Sequence, residues 1–259
     1  MQKKRKFVNS KRLFTMKTNT DFKNDALEAL RGNWGKAVLT TLLYFLLTVV
    51  IVTPMEYSAV KMQNYVTEQV GGYGNSIAQA ASLMQDEEYL SLQKQSYGTS
   101  ALGFLLEVFI LFPVMVGFYN AFRKLFVNKD TELTRNTFDF SNYFHKVLGM
   151  LQMYVLVALW TLLLIIPGII KAFAYAMTPY ILEDQPELST TEAIHRSRMM
   201  MKGHKFDLFW LGLSFFGWAI LGLFTLGIGY LWLAPYMNTA TASFYQEIKE
   251  EYAVKGGLD

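Results

Sequence analysis

Two ionisable residues, Glu107 and Lys171, stand inside otherwise apolar runs, and nowhere else does the sequence place a charge where water is scarce. A carboxylate there must be protonated, wetted or paired. In a six-span arrangement Glu107 falls six residues, about 9 Å, from the outer end of its helix. Lys171 falls near the outer end of another, so the expectation is an ion pair or an outward-facing polar vestibule. The competing reading leaves Lys171 to snorkel alone and Glu107 neutral. Other patterns carry no reaction chemistry. His145, His195 and His204 include no pair at i, i+4 and no HExxH, which argues against zinc. Gly212-Leu213-Ser214-Phe215-Phe216-Gly217 misses nucleophile-elbow spacing by one and sits in a span, where serine is helix-packing glue. Gly227-x-Gly229 lacks a third glycine and follows no strand, so it reads as a turn.

The helices that must position these residues are written in the composition. The chain is 52% hydrophobic and only 17% charged, against roughly 25% charged in a soluble domain. There are 24 consecutive uncharged residues between Lys146 and Lys171, and 39 from Leu208 to Gln246. A bilayer span needs about 20 apolar residues, so the expected class is all-α, a polytopic membrane protein with six spans at about 37–55, 101–122, 147–166, 169–182, 208–224 and 230–245. Residues 1–20 read as a basic, disordered cytosolic tail and residues 21–259 as one helical domain. With no cysteine, disulfides and thiolate chemistry are excluded. Neither cofactor nor metal is expected, and a net charge of +3 implies no nucleic-acid partner.

The first 36 residues hold ten basic residues and three acids. The first apolar run starts only at Ala37, so it reads as a retained span and not as a removed leader. Met16 also heads a plausible start, leaving the stretch before it open as an extension. Pro167-Gly168 admits two readings, a kink in one helix or a turn between two. A turn gives six spans with both termini inside, placing 21 basic residues inside and three outside; a kink gives 15 and nine. The positive-inside rule favours the turn, and the expected location is the cytoplasmic (inner) membrane. The span at 169–182 is only about 21 Å long, the weakest of the set. The external loop 56–98 carries helix formers on both sides of Gly71-Gly72-Tyr73-Gly74-Asn75, which predicts a helical hairpin too small for an enzyme domain.

Two amphipathic helices complete the reading. Ser189-Thr190-Thr191-Glu192 is a capping box and Gly203 is placed to end the helix. Ala193, Ile194, Ser197, Met200 and Met201 share one face, opposite His195, Arg196, Arg198 and Lys202. Such a helix either lies on the inner leaflet, its cations and Lys205 near anionic headgroups, or packs as a lid on the cytosolic ends of the spans. Before the first span, Phe22, Ala26, Ala29, Leu30 and Trp34 align opposite Lys23, Glu28 and Arg31, with the Trp34 indole at headgroup level.

Several segments recur together: Leu30-Arg31-Gly32-Asn33-Trp34-Gly35, Ile166-Pro167-Gly168-Ile169-Ile170, Tyr180-Ile181-Leu182-Glu183-Asp184, Met201-Lys202-Gly203-His204-Lys205 and Leu213-Ser214-Phe215-Phe216-Gly217-Trp218, followed by Gly227-Ile228-Gly229 and Pro235-Tyr236. In this the chain resembles the bacterial integral membrane family called domain of unknown function 975 (DUF975), over about Ala26 to Tyr245. More loosely it resembles the membrane domains attached to some bacterial glycerophosphodiester phosphodiesterases, whose catalytic domain has no counterpart here. The resemblance implies a polytopic bacterial membrane protein and supplies no activity or functional residues. The expected role is a non-enzymatic scaffold, accessory or membrane-homeostasis factor whose partners are the bilayer, anionic headgroups and a membrane protein. The rival is a small-solute or lipid transporter using Glu107, Lys171, Asn120 and Gln152, with Pro113, Pro167 and Pro235 interrupting its helices.

Overall fold

The computed structural model describes residues 16–70 and 81–256, and within them the chain is helical. The basic cluster Lys3–Lys6 and the Gly71–Asn75 reversal lie outside the described residues. Helix α1 (Asn19–Leu30) precedes α2 (Trp34–Val70); α3 (Glu87–Leu106) runs through a π-turn, Glu107–Leu111, into α4 (Phe112–Asn128). A short α5 (Leu133–Thr137) leads to α6 (Tyr143–Leu163), α7 (Ile165–Tyr175), α8 (Thr178–Asp184) and α9 (Thr190–Met200). The chain closes with α10 (Lys205–Leu213), α11 (Phe216–Phe224) and α12 (Tyr230–Val254).

Five helical stretches are long and apolar enough to cross a membrane: Trp34–Gln69, Glu87–Asn128, Tyr143–Leu163, Ile165–Asp184 and Lys205–Phe224. The region expected as a sixth, 230–245, belongs to α12 and is not among them. Its Asn238, Thr239, Thr241 and Ser243 dilute the apolar stretch, and the helix runs on into Glu247, Lys249 and Glu251. Much of α12 packs against protein instead, burying Leu233, Ala240, Phe244, Tyr245 and Ile248.

The sequence reading ended the first span at Met55, just past Pro54, but α2 runs on through Pro54 to Val70, 37 residues in all and about 55 Å long. Helices α2 and α3 pack side by side as one long hairpin, tied by a Ser58–Thr99 hydroxyl contact of 2.5 Å and by Tyr65 donating to Asp86 at 2.7 Å. The expected external helices are therefore extensions of the spans themselves.

At Pro167-Gly168 the chain turns. The break is three residues earlier, at Leu164, which is extended (φ −158°, ψ 137°) between α6 and α7. Pro167 then sits in the first turn of α7, where its missing N–H costs nothing. Gly168 lets the two helices close: a Cβ there would lie 2.2 Å from Thr161 Oγ1. The tip is apolar and bare, with Leu162 86% and Ile166 72% exposed.

Pro113 has a different consequence. Without an N–H it cannot reach the carbonyl four residues back, that of Phe109. The Tyr143 hydroxyl donates to that carbonyl, so the disturbed turn keeps its hydrogen bonding where irregular backbone must be satisfied internally.

Candidate functional site

The densest polar cluster of the molecule gathers around Glu183 and Asp184, the last two residues of α8. Carboxylates at a helix C-terminus face the negative end of its dipole, so cations are needed to hold them there. They come from three other helices. Glu183 takes Lys124 of α4 at 2.8 Å and Lys146 of α6 at 2.7 Å. Asp184 takes Arg123 of α4 at 2.7 Å, Lys249 of α12, and the Tyr245 hydroxyl at 2.8 Å. Arg123 also donates from Nε to Asn120 Oδ1 at 2.7 Å, and Asn120 Nδ2 donates to the Pro179 carbonyl at 2.9 Å.

Lys146 is wholly buried and adds a bond to the Asp139 carbonyl at 2.8 Å. The Asp139 side chain is turned the other way, accepting from the Ser141 N–H at 2.9 Å, which holds its carboxyl below the usual carboxylate range. Four cations face two carboxylates in this clasp. Both acids are consumed in ion pairs, so neither stands ready to take a proton from a substrate, while the surplus positive charge favours an anionic neighbour. Breaking one buried partner of such a set costs about 3–5 kcal/mol, because the other charge is left buried and alone.

The α9 lid is seated beside the clasp. Ser189 caps the helix reciprocally with Glu192, and Ala193, Ile194, Ser197 and Met200 are buried with Met201. Ser197 Oγ donates to the Ala174 carbonyl at 3.0 Å and accepts from the Met177 N–H at 3.2 Å, stitching α9 across the α7–α8 junction. Gln152 of α6 holds Thr190 at 2.7 Å and Thr191 at 3.0 Å. The apolar face expected among acyl chains is thus covered by protein, because it matches the ends of α6, α7 and α8. His195, Arg198 and Lys202 remain exposed. Arg196 is half-buried and donates to Gln185 at 2.7 Å, and Lys205 is half-buried at the start of α10.

Helix α1 is likewise docked on protein: Phe22 meets Phe244 edge-on at 5.5 Å, and Lys23 donates to the Ser214 carbonyl at 2.8 Å while lying 4.6 Å from the Phe215 ring. Trp34 is half-buried and lines a groove of about 500 Å³ with Leu27, Trp218 and Trp232.

Glu107 and Lys171 are not brought together as an ion pair. Lys171 of α7 rests its ammonium 4.3 Å from the centre of the Trp160 ring on α6, an intrahairpin cation–π contact. Glu107 opens the π-turn, half-buried; its backbone carbonyl accepts from the Phe112 N–H, while its carboxyl has no hydrogen bond or ion pair among the described residues.

The family model of the DUF975 proteins, described as proteins of unknown function, matches residues 16–252. The chain belongs to the DUF975 family. The match takes in α1 to α12 almost entirely, and with it the clasp, the lid and the α6–α7 hairpin. No curated protein and no solved structure matches the chain.

The clasp was missed in the sequence, although Tyr180–Asp184 was among the recurring segments. The available signal was an adjacent acid pair following an apolar stretch, with Lys146 standing at the opposite boundary of the same hairpin.

Proposed function

We propose that this DUF975 chain is a six-span protein of the bacterial cytoplasmic membrane, with both termini inside, acting as a non-enzymatic scaffold, accessory subunit or membrane-homeostasis factor. One observation carries the reading: the most chemically capable cluster, around Glu183 and Asp184, is spent on holding α4, α6, α8 and α12 together. What is left facing outward is a wall of aliphatic side chains suited to lipid and the exposed side chains of His195, Arg198 and Lys202, suited to anionic headgroups or an acidic partner. The first half of α12, with Trp232 half exposed, serves as the sixth span.

Because the chain has no cysteine, single cysteines read topology directly. With an impermeant thiol reagent on intact cells, position 94 labels and position 187 does not; external labelling of position 187 overturns the six-span arrangement. For function, full-length protein is recovered with its co-purifying lipids and proteins. The scaffold reading expects a stoichiometric partner or anionic lipid that is lost in Arg198→Ala with Lys202→Ala.

A second reading is favoured by Glu107 alone. An unpaired carboxyl at a π-turn inside an apolar helix is a common sign of a transport path. Reconstituted protein that moves a solute across vesicles, and stops doing so in Glu107→Gln, would replace the scaffold reading with this one.

A further inference from the structure

A cavity of about 540 Å³ lies between α4, α6, α8, α10 and α12, and neither Glu107 nor any charged residue of the clasp lines it. Five methionines, Met115, Met150, Met153, Met177 and Met237, contribute to its wall, and no charged side chain does. Thioether chains on three rotatable bonds adapt to irregular apolar shapes. Against this wall stand a few polar groups without partners. Tyr180 is 2% exposed and stacks between Tyr119, at 5.9 Å, and Tyr245, at 5.0 Å. Tyr245 spends its hydroxyl on Asp184. The Tyr180 and Tyr119 hydroxyls have no hydrogen-bond partner among the described residues. Asn238 commits Nδ2 to the Ala234 carbonyl at 2.8 Å, leaving Oδ1 unpaired.

We propose that this cavity binds one uncharged, lipid-soluble molecule whose carbonyl oxygen accepts hydrogen bonds from Tyr119 and Tyr180. A phenol hydroxyl with no protein partner forgoes the roughly 0.5–1.5 kcal/mol that a hydrogen bond contributes, so two of them at one cavity wall mark a place that a ligand's acceptor completes. Water fits poorly. At about 30 Å³ per molecule the volume corresponds to on the order of 18 waters, far more than the side chains of Tyr119, Tyr154, Tyr180, Tyr230, Asn238 and Thr241 can order on a methionine wall. A charged ligand fits no better, since no charged side chain lines the cavity and a charge buried among thioethers would go unpaired. The volume lies within the range of small-molecule sites, about 300–1,000 Å³, and an apolar body with one or two carbonyls uses both the wall and the phenols.

Ester carbonyls of a neutral glyceride and ring carbonyls of a benzoquinone share this chemistry, and the test separates them. Full-length protein in detergent is titrated with dioctanoylglycerol and, separately, with a short-chain benzoquinone, following thermal unfolding. One of the two raises the midpoint saturably; hexadecane, with no acceptor, does not. Tyr119→Phe and Tyr180→Phe each weaken that binding about ten-fold, the equivalent of one hydrogen bond. Met153→Trp, which fills the space, abolishes it while the protein remains folded. The proposal is overturned if neither carbonyl probe gives a saturable shift, if hexadecane does as well, or if Tyr119→Phe binds the probe unchanged. Should Tyr180→Phe fail to fold, Tyr119→Phe, at a half-buried position, decides. None of these readouts depends on topology or on a co-purifying partner.

Discussion

Lys146 is wholly buried and lies 2.7 Å from the Oε2 atom of Glu183, so a cation from one helix and an acid from another are removed from water together. Neither is tolerable without the other. Lys146→Met or Glu183→Met alone should destabilise by about 3–5 kcal/mol, whereas the Lys146→Met, Glu183→Met double variant recovers most of that loss. Thermal unfolding in detergent, completed as a double-mutant cycle, checks it; additive losses would show that the pair is not coupled.

Tyr143 repairs the carbonyl that Pro113 leaves orphaned at Phe109. Tyr143→Phe should cost about 1–3 kcal/mol, and Pro113→Ala, which restores an N–H to the helix, should remove much of that penalty. The cycle between these two variants measures the coupling directly.

How much of this was legible beforehand depends on the range of the interaction. The capping box Ser189–Glu192 and the buried face of α9 are local patterns, and both stand as read. The turn near Pro167 was legible from charge, because reversing the chain sorted the basic residues; its placement at Leu164 was not, since the closeness of Gly168 to Thr161 is a tertiary fact. Proline misled at residue 54, where helix interiors packed on neighbours tolerate what isolated helices do not. The start of α1 was read too late, because Thr18 and Asp21 form a capping box that precedes the first apolar position. The partners of Glu183 and Asp184 come from 37 to 65 residues away, and no period or motif announces such a meeting.

Ser197 anchors the lid through both of its hydrogen-bonding capacities. Ser197→Ala should cost about 1–3 kcal/mol by orphaning the Met177 N–H and the Ala174 carbonyl. Hydrogen exchange should then rise in α9 more than in α4, and equal increases in both would mean that α9 is not an independently docked element.

Glu192 provides an acid-sensitive end to the same helix. Its bond to the Ser189 side chain, then to the Ser189 backbone N–H, lowers its pKa below the ordinary glutamate value. A depressed folded pKa gives stability that is present above the unfolded value, about 4.3, and is lost as pH falls through the lower folded value. The stability gap between the native chain and Glu192→Gln should therefore narrow on acidification below about pH 4.3. A gap independent of pH, measured by thermal unfolding, would contradict the cap.

The bare aliphatic tip at Leu162–Ile166 and the equally uncharged turn at 225–229 bear on biogenesis. Each joins two helices without a single charged side chain to dehydrate on the way in. Such helix pairs can slip sideways from the translocon as finished units. The α2–α3 arm, with Glu56, Glu68 and Asp86–Glu88, carries charges that such a route does not accommodate.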